Sequence, residues 1–350
     1  MRAPAINELF SYRETIGAPG DLCLTDPSFD LTVATPEGPK VIERNSAFNE
    51  ICISQGVPEE NLYNDDFISQ TPRVVDTGGN PDLLAEEAST FSTGVVWTPY
   101  SIDGLSMSVD YFKVEIENFI GATPYLPSDL QRLCFDPDFG NGGPGSAACN
   151  SFRRNSDGAL TSVFAGSRNL GLHEVSGWDL NIEYGREFLT GYLDLNYFST
   201  KIVKRTIKDD SFASVDYTCV GLFNSDCDNL IDYPVFDFKH RLTAAWSKNN
   251  LDLQLVWKFT SSLDDGDDNR EYFTEKLDSY SIVDFSGRYM LAENWNLTVG
   301  VKNLLDKQPQ KIGTNSWEYA GFAIPSVSNT YTQYYDVFGR TWFLKASYNL

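Results

Sequence analysis

From Leu251 to Phe259 apolar and polar side chains alternate at almost every step. Leu251, Leu253, Leu255, Trp257 and Phe259 share one face, and Asp252, Gln254, Lys258 and the following Thr260 share the other; Val256 alone breaks the pattern. A period of two sustained this long marks a β-strand with one apolar face. The same period recurs in Phe236, Phe238, His240, Leu242, Ala244 and Trp246, in Trp295, Leu297, Val299 and Val301, in Trp178, Leu180, Ile182 and Tyr184, and in Leu193, Leu195 and Tyr197. A soluble sandwich covers each apolar face with a second sheet. Here the opposite face carries charges and amides, as a water-filled barrel in lipid requires. The expected fold class is all-β, an antiparallel transmembrane β-barrel.

Composition supports that class. The 350 residues have a mean hydropathy of -0.30 and no apolar run long enough for a membrane-spanning helix, so a helical membrane protein is excluded. Aromatics make up 14% of the chain, 18 Tyr and 23 Phe among them, and several fall near strand ends (Trp246, Trp257, Phe259, Trp295, Tyr197), where barrels place their interfacial girdles. A net charge of -22 without a basic patch argues against a nucleic-acid partner. The acidic run Asp264, Asp265, Asp267 and Asp268 lacks the spacing and closing Glu of a calcium loop, so a solvated loop is expected and no metal or other cofactor is implied.

Following the runs gives about nine strands whose links alternate between short and long. Short links fall near Pro99 to Asp103, Gly185 to Gly191, Ser247 to Asn250 and Leu291 to Asn294. Long ones run from Phe119 to about Val163, Ile207 to about Tyr233, Ser261 to about Glu275 and Lys307 to about Thr330, with a longer segment over residues 1–83. On one side of a membrane they form a substrate-facing surface, so residues 1–83 read as mainly extracellular loop and 84–350 as strands and loops. All six cysteines, Cys23, Cys52, Cys134, Cys149, Cys219 and Cys227, lie in long links. Locality favours the pairs 23–52, 134–149 and 219–227 among the 15 connectivities that six cysteines allow. The spacing is not that of CxxC metal ligands, and only His173 and His240 are available as histidines, so disulfides and an oxidising compartment are the expectation.

Five short motifs occur in order along the chain. Arg2-Ala3-Pro4 with Asn7-Glu8-Leu9-Phe10 resembles the RAPxxxELF motif of TonB-dependent outer-membrane receptors. The segment from Gly78 to Glu87 resembles their GNPxLxPE segment, with Ala85 where Pro is common. Val109-Asp110-Tyr111-Phe112, Asn303-Leu304-Leu305-Asp306 and Phe338-Gly339-Arg340-Thr341-Trp342 are similar to later landmarks of that family. Bland readings exist for each: Gly78, Gly79 and Pro81 end a loop and start a strand, and Asn303 and Asp306 turn the chain. Trp342, Leu344, Ala346, Tyr348 and Leu350 resemble the terminal signal read by the barrel assembly machinery, although the family commonly ends in Phe.

The resemblance implies the C-terminal part of a barrel of roughly 22 strands. No secretory signal is readable ahead of Arg2, and nothing resembles the family's plug domain or the segment that engages TonB, so the expectation is a fragment of a longer receptor. The implied function is energised uptake of a scarce nutrient such as a siderophore, vitamin or oligosaccharide across the bacterial outer membrane. The implied partners are outer-membrane lipid, a small-molecule ligand and, through the missing N-terminal part, the plug and the TonB complex.

The expected inner wall comprises Asp194, Asn196, Asp237, Lys239, Arg241, Asp252, Gln254, Lys258, Asp284, Arg288 and Lys302. The expected ligand contacts are Trp317, Tyr319, Phe322, Tyr331, Tyr334 and Tyr335, since aromatic rings offer large contact area. A passive porin and a surface adhesion barrel are the alternatives. An enzyme is disfavoured because there is no GxSxG, and neither histidine has an evident Ser or Asp partner. Peptide mass mapping of the non-reduced protein should recover the three local cysteine pairs; free thiols at all six positions would remove the oxidised-loop reading.

Overall fold

The computed structural model describes all residues except 17–19, 26–31, 36–37, 42, 69–73, 123–126, 136–141, 210–214, 219, 224–234, 267–273, 293, 312–329, 331–334 and 349–350. Nine long strands follow one another: β1 (Glu87–Trp97), β2 (Leu105–Glu117), β3 (Leu172–Phe188), β4 (Gly191–Asp209), β5 (Phe238–Lys248), β6 (Leu251–Thr260), β7 (Tyr280–Ala292), β8 (Trp295–Lys302) and β9 (Thr341–Tyr348). Each is hydrogen-bonded to its neighbours in sequence, so the sheet is a meander from β1 to β9, with a short strand Val215–Thr218 added against β4. All but β8 and β9, which have eight residues each, reach the roughly nine that a tilted crossing of the hydrocarbon layer needs.

The register shows why the alternation matters. Directly opposite residues share a face. From β5 to β6, Leu242 faces Trp257, Ala244 faces Leu255 and Trp246 faces Leu253, while Arg241 faces Lys258, Ala245 faces Gln254 and Ser247 faces Asp252. The apolar row continues through Phe285 opposite Leu255, Val301 opposite Phe285, and Trp342 opposite Val301. That face is left open: Trp342 is 69% and Leu344 70% exposed, and Trp178, Trp257, Phe285, Val299 and Trp295 are exposed too. Val256, the break in the pattern, lies on the polar face opposite Thr243 and Asp284 and is buried. His240 sits on the apolar face, its ring 4.4 Å from that of Trp257 and stacked 5.2 Å from Phe259.

Two of the short links, 189–190 and 249–250, are two-residue turns. Leu189 and Thr190 both take positive φ, 50° and 61°, as a two-residue hairpin turn of the primed type demands, and Asn249 does so at 50°. The long links are more ordered than the loops expected from sequence, because they bury their own apolar side chains. Two compact units result, one of residues 1–89, 115–173 and 206–217, the other of 90–114, 174–205 and 218–350.

The first unit holds three helices, α1 (Ile6–Phe10), α2 (Ser46–Ser54) and α3 (Pro127–Phe135), and a four-stranded sheet made of Glu14–Ile16, Val74–Asp76, Leu160–Phe164 and Phe152–Arg154. Asn45 caps α2 by accepting from the Phe48 N–H. The core of the unit gathers Leu24, Phe48, Ile51, Val57, Leu130, Leu133, Phe135, Phe152, Leu160 and Val163 around two disulfides, Cys23–Cys52 and Cys134–Cys149. Cys219 and Cys227 lie outside the described residues.

Asp21 ties the two disulfide-bearing segments together. Its carboxylate accepts from Arg154 Nη1 at 2.8 Å, the Leu160 N–H at 2.8 Å and the Cys23 N–H at 3.2 Å, and the two charged side chains are only 1% and 3% exposed. A buried pair of this kind, once broken, costs about 3–5 kcal/mol because the remaining charge is left unpaired.

In the second unit, the short strands Leu222–Phe223, Leu263–Asp265 and Lys276–Leu277 pair above a core of Phe223, Phe236, Leu263, Leu277, Tyr280 and Tyr335. Part of the acidic run read as a solvated loop is therefore strand: Asp264 pairs with Lys276 at 2.7 Å, because Leu263 is drawn fully into that core. Asp267 and Asp268 lie outside the described residues.

On the polar face the Phe343 ring lies over Gly300. A Cβ there would come within 2.3 Å of Phe343 Cζ and 2.9 Å of Ser286 Cβ. Gly300→Val should destabilise the sheet by about 1–3 kcal/mol, read as a lower urea midpoint in detergent micelles, and Phe343→Ala should restore part of the loss. An unchanged midpoint in Gly300→Val would refute this packing.

Candidate functional site

The polar face of the sheet carries the side chains expected to line a path. Asp194 and Asn196 on β4 stand opposite Ala245 and Thr243; Lys239 and Arg241 on β5 stand opposite Thr260 and Lys258. Asp252 and Gln254 on β6 stand opposite Arg288 and Ser286. Lys302 on β8 faces Thr341. One face of the meander thus brings these residues together from five strands.

Much of this wall is internally neutralised. Arg288 pairs with Asp252 at 2.7 Å, and Lys258 with Asp284 at 2.8 Å. Asp284 also accepts from the Asn303 N–H at 2.9 Å. Asp237, just ahead of β5, pairs with Lys201. Lys239 holds its ammonium 4.8 Å from the centre of the Phe236 ring.

Further polar-face residues lie beyond the expected inner wall, although the alternation opposite Trp178, Leu180 and Ile182 already puts Asn181 and Glu183 on that face. Glu183 accepts from Asn181 at 3.1 Å and Asn196 at 3.4 Å. Lys345 stands opposite Thr298, and Phe198 stands opposite Arg241. Lys345 was legible in the alternation between Leu344 and Ala346; Phe198 was not, because an aromatic on the polar face breaks the pattern.

Of the expected ligand contacts, Trp317, Tyr319, Phe322, Tyr331 and Tyr334 lie outside the described residues. Tyr335 is buried, with its ring 5.0 Å from Tyr280 and 6.3 Å from Phe236, and burial pushes its phenol up to about 12. An aromatic side chain in a loop is drawn as readily into a local core as toward a ligand. Among the described residues, no group of His, Cys, Asp and Glu is placed to hold a metal ion.

The motifs recognised one by one in sequence meet in space. Arg2 donates from Nε and Nη2 to the Glu86 carboxylate at 2.7 and 2.9 Å, and from Nη1 to Glu8 at 3.0 Å. The backbones of Arg2 and Glu86 exchange two hydrogen bonds of 2.9 Å. Gly79 lies so close to α1 that a Cβ would sit 2.5 Å from the Leu9 carbonyl carbon and the Phe10 nitrogen, and the Asn80 N–H donates to the Glu8 carbonyl at 2.7 Å. The first two motifs are therefore the two halves of one clasp at the start of β1.

A second clasp joins the later motifs. The Asn303 side chain closes a turn by accepting from the Lys307 N–H at 2.8 Å and donating to its carbonyl at 2.9 Å, and Asp306 accepts from the Arg340 N–H at 2.9 Å. Asn303 and Asp306 both take positive φ, which Asn and Asp tolerate better than most residues.

A meander of long antiparallel strands with an open apolar face and an ion-paired polar face defines the wall of an outer-membrane-type β-barrel. The chain belongs to the TonB-dependent receptors: the family model described as "TonB dependent receptor-like, beta-barrel" matches residues 1–304. The fold is similar to that of a variant of the ferric enterobactin receptor from Pseudomonas aeruginosa solved in complex with enterobactin. That match has a TM-score of 0.50 and 17% identity over 84% of this chain and 36% of that one. The siderophore receptor PirA from Acinetobacter baumannii matches with a TM-score of 0.47 and 15% identity, over 80% of this chain and 34% of its own. The FrpB iron transporter from Neisseria meningitidis matches with 0.45 and 12%, over 79% and 33%. The chain thus spans about a third of the length of these solved receptors. No curated protein matches.

Arg2, with support from the Ile120 N–H and against the opposing effect of burial, holds the Glu86 carboxyl below the usual carboxylate range. The stabilisation this gives is present above the ordinary carboxylate pKa and is lost as pH falls through the depressed one. Glu86→Gln should therefore weaken the clasp by about 1–2 kcal/mol at pH 7. Measured by hydrogen exchange at Arg2 and Glu86, the gap between wild type and variant should close below roughly pH 4. A gap that stays constant down to acid pH would disprove the charged clasp.

Proposed function

We propose that this chain is part of an outer-membrane receptor that takes up a scarce nutrient, of the siderophore, vitamin or oligosaccharide kind, with energy delivered by the TonB complex. Family membership is the observation that carries this reading. The geometry supports it: an apolar face left open, a polar face with paired charges suited to a hydrated path, and long links that bury cores of their own. The family is one of receptors and transporters and not of enzymes, and it resides in the bacterial outer membrane.

In this reading the long links stand on the outer side and capture the ligand, and the polar face lines its way once the plug moves. The last strand, with Trp342, Leu344, Ala346 and Tyr348 on its apolar face, engages the barrel assembly machinery.

The test is uptake by cells carrying the complete gene, with labelled ferric siderophores, cobalamin and oligosaccharides offered in turn. Uptake should require both TonB and the proton gradient. Steady ion conductance in planar bilayers without TonB would point to a passive porin, and ligand binding at the cell surface with no internalisation to an adhesion barrel. Either result would discard energised transport.

A further inference from the structure

We propose that Arg186, near the short-turn end of β3, binds the phosphate of a membrane phospholipid, with Phe188, Leu189 and Trp246 against the lipid's carbon skeleton. The inference rests on the reading above that the apolar face of the sheet meets lipid.

Arg186 is a charge where the alternation calls for an apolar residue. It follows Trp178, Leu180, Ile182 and Tyr184 on the apolar face of β3, two residues ahead of Phe188. The two-residue turn sets Phe188 opposite Gly191 and therefore Arg186 opposite Leu193; the same register brings Asn196 to Glu183 and Thr200 to Asp179. From Leu193 the rung continues through Trp246, Leu253, Gly287, Val299 and Leu344 without another charge.

Nothing in the protein answers that charge. Arg186 is exposed and makes no hydrogen bond or ion pair among the described residues. Glu183 and Glu187 of the same strand fall on the opposite face. Asp103 lies level with Arg186, since the Gly185 N–H donates to the Gly104 carbonyl at 3.0 Å, yet it forms no pair with it. A cation on a wall that faces hydrocarbon is costly except close to the interface, where a long side chain carries its head to the phosphates. The guanidinium fork matches a phosphate through two parallel hydrogen bonds.

The surroundings suit the headgroup layer. Leu189 is 71% exposed at the tip of a hairpin turn, a place where Asn and Gly are the usual residues. Leu189 and Thr190 hold positive φ that Asn and Gly would take with less strain, so the apolar tip is kept at a local cost. Backbone carbonyls at this end of the sheet are met by side chains. The Trp246 indole N–H donates to the Phe188 carbonyl at 2.9 Å, the Thr190 hydroxyl to the Leu189 carbonyl at 2.6 Å, and the Asn250 amide to the Met290 carbonyl at 3.2 Å. Acceptors satisfied from within fit a layer poor in water. A free phosphate would find one cation among apolar side chains, whereas a phosphate carrying acyl chains uses both.

The probe is phosphatidylglycerol, added to the full chain in neutral detergent micelles and counted as bound lipid by native mass spectrometry, with phosphatidylcholine of the same acyl chains as reference. Wild type should prefer phosphatidylglycerol by about tenfold, and by less as salt is raised. Arg186→Gln should erase the preference, and Arg186→Lys should keep most of it. Arg186→Leu should erase it too, while completing the apolar row; its urea midpoint should equal or exceed that of wild type, which separates loss of the lipid from loss of the fold. Lys345→Gln, on the polar face, should behave as wild type. No preference in wild type, or one that survives Arg186→Gln, would overturn the proposal, as would displacement of the lipid by soluble glycerol phosphate. Lipid binding is read without transport: uptake indifferent to the proton gradient removes the transport reading alone, and lipid retention indifferent to Arg186 removes only this site.

Discussion

Every backbone N–H and C=O of a strand in hydrocarbon must find a partner in another strand, since no water is available to supply one. This constraint organises the molecule. It forces the long strands into a continuous meander, and the meander's register gives the side-chain alternation its meaning. A shift of one residue between β5 and β6 would carry Arg241 and Lys239 to the apolar face and Leu242 and Trp246 to the polar one. The two faces thus hold the register as firmly as the backbone hydrogen bonds do.

Where the chain leaves the strands, other interactions take over. The clasp of Arg2, Glu8 and Glu86 and the turn of Asn303 and Asp306 on Arg340 fasten the chain at the margins of β1, β8 and β9. Within the first unit, buried disulfides and the Asp21–Arg154 pair add to the apolar core that the long links bury.

Charge is distributed with the same economy. The acidic excess lies mostly in the links: the sequence of residues 210–237 holds Asp210, Asp216, Asp226, Asp228, Asp232 and Asp237 and no Lys or Arg, whereas β5 and β6 together are basic. Five of the wall charges, Asp237, Asp252, Lys258, Asp284 and Arg288, are each paired with an opposite charge. Against that background Arg241 stands directly opposite Lys258, whose ammonium is taken up by Asp284 on the next strand.

The sequence by itself determined the strands, their two faces and the family, because period-two alternation and turn chemistry are local properties that survive without tertiary contacts. His240 on the apolar face, the short turn at Asn249 and the polar row of Asp252, Gln254 and Lys258 were all readable in this way. Only the tertiary structure decided which residues meet: Arg2 with Glu86, Asp21 with Arg154, and Arg241 with Lys258. It also decided that Tyr335 is core and that Asp264 is strand. Those outcomes depend on partners tens of residues away along the chain, or on the register between strands, and no local pattern encodes the distance between two segments that only packing brings together.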